Sequence, residues 1–186
     1  MEKKEFQKLF KTYMKELGYR SRKNICFMYP KPDYLVFVLL EHSSWQEAYH
    51  LEYGVVYEAD QLTAPFSGRS DWSLNFLFTT DPSDDLARYP LDDLELRYGR
   101  ELDICFNYSE RTAEEFLREL ELNVEKRLNQ VYDREFALEH YRKNWVQFRK
   151  IPYDTVHKIC RLAGLDEALV LKFRDGRYRN KEELLG

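Results

Sequence analysis

Residues 34 to 57 read YLVFVLLEHSSWQEAYHLEYGVVY and determine the fold class more than any other stretch of the chain. Residues 34–40 are apolar at both parities, a pattern typical of a central strand that is covered on both faces. Residues 49–57 alternate instead, with an apolar or aromatic side chain at every odd position, which indicates a strand with one buried face. The polar corner EHSSWQEA joins the two segments, so the sequence predicts an antiparallel strand pair.

The residues before this pair predict a helix and a further strand. An apolar stripe at helical spacing runs through residues 3–17, and Gly18 is well suited to end that helix. The stripe consists of Phe6, Leu9, Phe10, Tyr13, Met14 and Leu17, with lysines on the other faces. Residues 24–29 favour a short strand, followed by a turn at Pro30, Pro32 and Asp33, because proline has no N–H to donate to a sheet.

The residues after the pair continue the sheet and then change to a helical period. Residues 58–70 carry loop signals, and residues 71–79 alternate as a strand. Residues 91–108 favour a hairpin, although their first half also suits a helix. Thr112 and Glu115 have the spacing of a capping box. The helices expected from there on cover about 112–131, about 133–148, a segment around 156–163 that ends at Gly164, and a last one capped by Asp166.

Together these elements predict an α+β fold with an N-terminal helix, a mostly antiparallel sheet of about six strands, and C-terminal helices. We expect an α+β domain over residues 1–130. Residues 131–186 are expected to form a helical extension that packs on the same domain.

Composition and charge favour an ordinary water-soluble protein. The 186 residues include 44% apolar and 33% charged residues, and the formal net charge is −4, which argues against a general nucleic-acid binder. The three cysteines are far apart and form no CxxC pair, as expected in a reducing compartment. There is neither a signal-peptide pattern at the start nor a stretch of 18 apolar residues, so we expect a cytoplasmic protein without a membrane segment.

The order of several short motifs resembles the bacterial family known as domain of unknown function 4304, over roughly residues 5–130. The motifs are Leu17-Gly18-Tyr19-Arg20, Ser43-Ser44-Trp45, Glu52-Tyr53-Gly54 and Trp72-Ser73-Leu74. The resemblance implies a small soluble bacterial protein without an assigned activity, and it supplies no site residues. The chain after residue 131 has no counterpart in that pattern.

Motifs for catalysis or metal binding are weak. The four histidines form no HExxH or HxH pattern, and only a tight fold of the corner would bring His42 and His50 together with Glu41 or Glu52 as a metal set. Cys26 follows the basic pair Arg22 and Lys23, which could lower its pKa, but a plain strand cysteine is the more ordinary interpretation. The sequence therefore predicts no catalytic residue, no metal and no cofactor.

A recognition surface is the more physical hypothesis. If helices cover the Tyr49 parity of the sheet, the opposite parity carries polar residues on several strands, because an antiparallel sheet can leave one face in water. Trp45 would lie at the rim of that face. The predicted binding residues are His42, Trp45, Tyr49, His50, Glu52, Asn75 and Arg97.

The leading functional hypothesis is a non-enzymatic module that binds another protein, with an immunity-like role as one version. The alternative is an enzyme or small-ligand protein with a pocket near residues 41–52. A third hypothesis is RNA binding through Arg174, Arg177 and Arg179 in the basic tail, although nucleic acid is not the expected partner. The oligomeric state stays open.

Overall fold

A computed structural model of the chain describes residues 1–43, 47–59, 74–77, 105–110, 112–143, 145–150 and 152–186. Within these ranges an opening helix is followed by an antiparallel sheet and then by helices, which confirms the α+β fold class. Helix α1 covers Lys3–Glu16, and the strands are β1 (Arg20–Arg22), β2 (Ile25–Lys31), β3 (Tyr34–His42), β4 (Ala48–Tyr57), β5 (Leu74–Leu77) and β6 (Cys105–Asn107).

From Ala113 onward the described residues are mainly helical. The helical segments are α2 (Ala113–Glu119), a π-helical segment (Leu120–Glu125), α3 (Lys126–Val131), α4 (Arg134–Lys143), a 3₁₀ helix (Trp145–Lys150), α5 (Tyr153–Ala163), α6 (Glu167–Asp175) and α7 (Lys181–Leu185). The capping box of Thr112 and Glu115 is present, and Gly164 ends α5 with a φ of +66°. The helix predicted over 133–148 is wrong in its second part, because the α-helix ends at Lys143 and a tighter 3₁₀ turn follows.

In the described residues six strands occupy five positions across the sheet, where the sequence predicts about six strands. The order is β1-β2-β3-β4-β5, with all pairs antiparallel. β3 occupies one edge of β4, so β5 and β6 share the other edge end to end: β5 pairs with residues 52–55 and β6 with residues 48–50. β2 continues to Lys31 through an irregularity after Met28, so Pro30 lies in the strand and not in the expected turn.

One face of the sheet packs against the helices. Tyr34, Val36 and Val38 of β3 share this face with Tyr53 and Val55 of β4, as the register of the pair requires. The same hydrophobic core includes Phe6, Phe10, Tyr13 and Met14 of α1 and the stripe Phe116, Leu120, Val124, Leu128 and Val131. The sequence-based assignment of both apolar stripes is therefore confirmed.

The opposite face of the central strands is also buried. Leu35, Phe37 and Leu39 are at most 6% exposed, and Phe27 and Val56 belong to the same cluster. Glu52, expected on a polar face in contact with water, is only 8% exposed and is paired with Leu39. The polar-face hypothesis is wrong at this strand because β2 and β3 supply apolar side chains at the same parity.

Residues beyond 131 are joined to the sheet by polar contacts as well as by apolar ones. The Tyr34 hydroxyl donates a hydrogen bond to the carbonyl of Val131 (2.6 Å), and the Tyr57 hydroxyl donates one to the carbonyl of Arg134 (3.1 Å). Arg134 also forms an ion pair with Asp33 at 2.8 Å. None of the helices in the described ranges is long and apolar enough to cross a membrane.

Candidate functional site: a basic groove and an aromatic corner

The corner between β3 and β4 brings together two of the predicted binding residues. His42 pairs with Tyr49 in the backbone ladder, and their rings meet edge to face with centroids 5.0 Å apart. The hydroxyl of Tyr108, just after β6, lies 3.5 Å from Nε2 of His42. The centroids of the Tyr108 and Tyr49 rings are 5.7 Å apart. We call His42, Tyr49 and Tyr108 the aromatic corner.

Helix α1 closes one side of the aromatic corner. Phe6 stacks on Tyr49 at 5.0 Å with nearly parallel rings, and the Gln7 side-chain amide donates a hydrogen bond to the Tyr49 hydroxyl (2.6 Å). Burial raises the pKa of the Tyr49 phenol, so this hydroxyl is a neutral, bonded group. Desolvation, aided by the nearby Lys3 ammonium, lowers the pKa of His42. The polar groups of the aromatic corner therefore mainly contact one another and Gln7.

The remaining predicted binding residues do not join His42 and Tyr49 in one site. Glu52 lies at the opposite parity of β4, in the buried face beside Leu39. The backbone of His50 pairs with Glu41 and Cys105, and that of Asn75 pairs with Gly54. Trp45 and Arg97 lie outside the described residues, as does most of the predicted 91–108 hairpin. The predicted set is therefore divided between two faces of the sheet wherever it can be located.

Cys26 and Cys160, the two cysteines whose side chains the structure describes, are buried free thiols. Burial raises the pKa of Cys26 to about 12, and the nearby Lys11 ammonium offsets only part of that effect. Burial raises the pKa of Cys160 to about 11. The idea that neighbouring basic residues activate Cys26 is wrong, because a thiol in the core stays protonated and unreactive. The described residues also contain no cluster of three or more His, Cys, Asp or Glu able to hold a metal ion.

A groove between α1 and β1 is a strongly basic concave surface. It has a volume of about 720 Å³. Its described lining residues are Lys4, Gln7, Lys8, Lys11, Thr12, Lys15, Tyr19, Arg20 and Ser21. Five of these nine are cations and none is an acid. We call this surface the basic groove.

The spacing of the lysines places them in one row. Lys4, Lys8, Lys11 and Lys15 follow each other at intervals of four, three and four residues, which puts them on one side of an α-helix. At about 1.5 Å of rise per residue the row is about 16 Å long. The apolar stripe of α1 fixes this orientation, because burying Phe6, Phe10 and Met14 against the sheet turns the lysine row toward β1.

The cations of the basic groove have no ion-pair partner in the described part of the chain. None of the four lysines, nor Arg20, forms an ion pair or a hydrogen bond there. Elsewhere the protein pairs its charges readily: Arg142 contacts Glu139, Arg161 contacts Glu58, and His157 contacts Glu167. Like charges three and four residues apart destabilise a helix by about 0.2–0.5 kcal/mol per pair. The row therefore has a small cost that a bound anionic group would offset.

The floor of the basic groove is connected to the rest of the fold by hydrogen bonds. Tyr19 is 3% exposed and its hydroxyl donates a hydrogen bond to that of Tyr132 (3.1 Å), which connects the groove to the helical half. Gln7 lines the groove and holds Tyr49, which connects it to the aromatic corner. A ligand would thus meet flexible lysine side chains above a hydrogen-bonded, partly aromatic floor.

The charge of the chain is strongly divided between this region and the rest. Residues 3–23 contain eight basic residues and two acids, a balance of +6, which leaves −10 for the remaining residues. The sequence shows the lysines of α1, but their clustering with Arg20 and Ser21 depends on how α1 lies beside β1. Counting charge in short windows at the N-terminus would have indicated the region, although not the groove.

Comparisons with known proteins give no relative for this chain: no family model, no curated protein and no solved structure matches it. The resemblance to domain of unknown function 4304 therefore stays a prediction.

Proposed function

We propose that the protein is a non-enzymatic binding module that holds an acidic segment of a partner protein in the basic groove. The observation that carries this proposal is the row of four lysines, with Arg20 opposite, that has no ion-pair partner in the described residues. A row of unpaired cations in a concave surface is complementary to a segment with several carboxylates. An immunity-like inhibitor is one version of this function, in which the partner is a toxin.

A protein segment fits the charge distribution better than a nucleic acid. The lysine row spans about 16 Å, and the chain outside residues 3–23 carries a balance of −10. A nucleic-acid strand carries a negative charge every 3.4 Å or so along its length, and a chain whose other residues sum to −10 repels such a polyanion overall. The basic tail does not compensate, because Arg174 is stacked 3.7 Å over the ring of Tyr153 and paired with Asp175.

The expected binding is modest and depends on salt. An exposed ion pair contributes about 0–1 kcal/mol, so five cations in one groove supply a few kcal/mol. Such contacts steer the partner and select it by charge more than they hold it. We therefore expect affinity to fall steeply as the salt concentration rises.

The test compares three charge reversals in the groove with three outside it. The groove variant is Lys8→Glu, Lys11→Glu, Lys15→Glu, and the matched control is Lys172→Glu, Arg177→Glu, Arg179→Glu, whose residues are exposed and lie far along the chain. Both changes alter the net charge equally. A cross-linked partner from the native host should be lost with the groove variant, be retained with the control, and carry its cross-links to groove lysines within an acidic segment.

Two outcomes contradict the proposal. Retention of the same partner by the groove variant would show that the basic groove is not the binding surface. Tighter binding of an eight-residue oligothymidylate than of an eight-residue oligoglutamate, at equal salt, would indicate a nucleic-acid site instead.

A further inference from the structure

Strand β1 borders the basic groove and lies at the end of the sheet. In the described residues it pairs only with β2, so its other edge carries no strand. Successive residues of an antiparallel strand direct their N–H and C=O groups alternately toward the neighbour and away from it. With three residues in β1, at least one must therefore present backbone groups to the outer edge.

The basic groove reaches β1 at this edge. Arg20 and Ser21 are adjacent in the strand and point to opposite faces of the sheet, yet both line the groove. A groove lined by residues of both faces reaches the edge of the strand, because a groove over a single face would be lined by every second residue only. All three residues of β1 are exposed, and no strand of the described chain lies on that edge.

We propose that the partner's acidic segment binds in an extended conformation, as an additional strand on β1, with its carboxylates directed to the lysine row of α1. This inference rests on the proposed function and adds the mode of binding. A groove between an edge strand and a helix is the geometry in which peptides are bound by strand addition, where backbone hydrogen bonds give affinity and alternate side chains give specificity.

The dimensions agree with this mode. Alternate side chains of a strand lie on one side about 6.6 Å apart. Successive lysines of the row are separated by about 4.5–6 Å of helix axis. A strand of about five residues, with an acid at every second position, has the length of the row. The flexible lysine side chains accommodate the remaining difference.

The charge of β1 also selects the strand that can be added. Exposed edge strands are liable to pair with any other strand, and charged residues at the edge suppress this. Arg20 and Arg22 give β1 a positive edge, which repels the same edge of a second copy of the chain. An acidic strand is the one kind that this edge attracts.

The experiment uses a peptide that has one face of carboxylates when extended. The probe is the octapeptide (Glu-Thr)₄, acetylated and amidated, with (Gln-Thr)₄ as the uncharged match, and binding to the full chain is measured by fluorescence anisotropy at low salt. Backbone N-methyl groups are then placed either on the Glu residues or on the Thr residues. The carboxylates fix the register, so only one of the two series removes hydrogen bonds to β1.

Strand addition predicts that the two series differ. Loss of two hydrogen bonds at about 0.5–1.5 kcal/mol each corresponds to a weakening of about fivefold to 150-fold for one series, with about twofold at most for the other. Hydrogen exchange at the β1 amides should slow when the unmethylated peptide is bound. The (Gln-Thr)₄ peptide should not bind the wild-type chain detectably, and the groove triple variant should not bind (Glu-Thr)₄ detectably.

The possible failures separate the two proposals. Charge-dependent binding that is equally sensitive to both methylated series would overturn strand addition and leave the proposed function standing. No binding of (Glu-Thr)₄, while the groove variant still loses its cross-linked partner, would do the same. No peptide binding together with a partner that the groove variant retains would overturn the proposed function itself.

Discussion

The aromatic corner and the basic groove share Gln7 but use their polar groups in opposite ways. In the corner, His42, Tyr49 and Tyr108 contact one another, and Gln7 bonds the Tyr49 hydroxyl. In the groove, five cations lie side by side without an ion-pair partner in the described chain. The residues most conspicuous in the sequence hold the fold together. The ordinary lysines are the ones left available for a partner.

The largest expected effect is that of truncating Tyr49 in the aromatic corner. Tyr49 is 1% exposed and stacked on Phe6, so Tyr49→Ala should lower the free energy of unfolding by about 3–5 kcal/mol. Urea denaturation measures it. Tyr49→Phe keeps the ring and loses only the Gln7 hydrogen bond, so it should cost about 1 kcal/mol. A Tyr49→Ala protein of wild-type stability would show that the corner is a surface and not part of the core.

The next largest expected effect is a loss of folding stability at alkaline pH, caused by the buried thiol of Cys26. Burial holds the pKa of Cys26 at about 12 in the folded chain, whereas an unfolded thiol ionises near pH 8.5 or so. The unfolded chain therefore releases a proton that the folded chain keeps, and stability falls as the pH rises from about 8.5 toward 12. Denaturation series at pH 8 and pH 10 measure this.

A Cys26→Ala variant serves as the control for the thiol. Its stability should decline less between those two pH values than that of the wild type, whatever its stability at pH 8. Equal declines would assign the effect to the buried tyrosines, such as Tyr34, whose pKa is also raised by burial.

Neutralising one lysine of the basic groove should raise the free energy of unfolding slightly, whereas the changes above lower it. Lys8 has like charges at Lys4 and Lys11 and one acid, Glu5, three residues before it, so Lys8→Gln should raise the free energy of unfolding by only about 0.3 kcal/mol while weakening partner binding. Lys172→Gln, on α6 with Asp175 three residues on, should be slightly destabilising. A loss of stability in Lys8→Gln would mean that the lysine row already has an ion-pair partner.

The smallest expected effect is the titration of His42. Its pKa should lie below 6.5 because of desolvation and, secondarily, the Lys3 ammonium. Since the fold disfavours the protonated ring, this group contributes a slight loss of stability as the pH falls below about 6.5. An NMR titration measures the midpoint, and Lys3→Gln should raise it. An unchanged midpoint in that variant would show that the charge of Lys3 does not act on His42.

Local patterns predicted most of the secondary structure. The stripe from Phe6 to Met14, the strand pair over 34–57 and the helix end at Gly164 are each encoded within a few residues, and each is confirmed. Periodicity indicates which side of an element is apolar, because burial repeats with the geometry of that element. It does not indicate how many strands share one edge, and in the described residues β5 and β6 both pair with the same edge of β4.

The candidate site was beyond the reach of those patterns. The sequence by itself determined an amphipathic α1 with lysines along its polar side, the central strand pair and the helical second half. Only the tertiary structure decided that the lysine row faces β1 across a groove, and that Glu52 is buried against β3. The physical reason is that a residue's own periodicity sets the direction of its side chain, whereas the element that packs alongside sets whether it meets water, an apolar wall or a row of like charges.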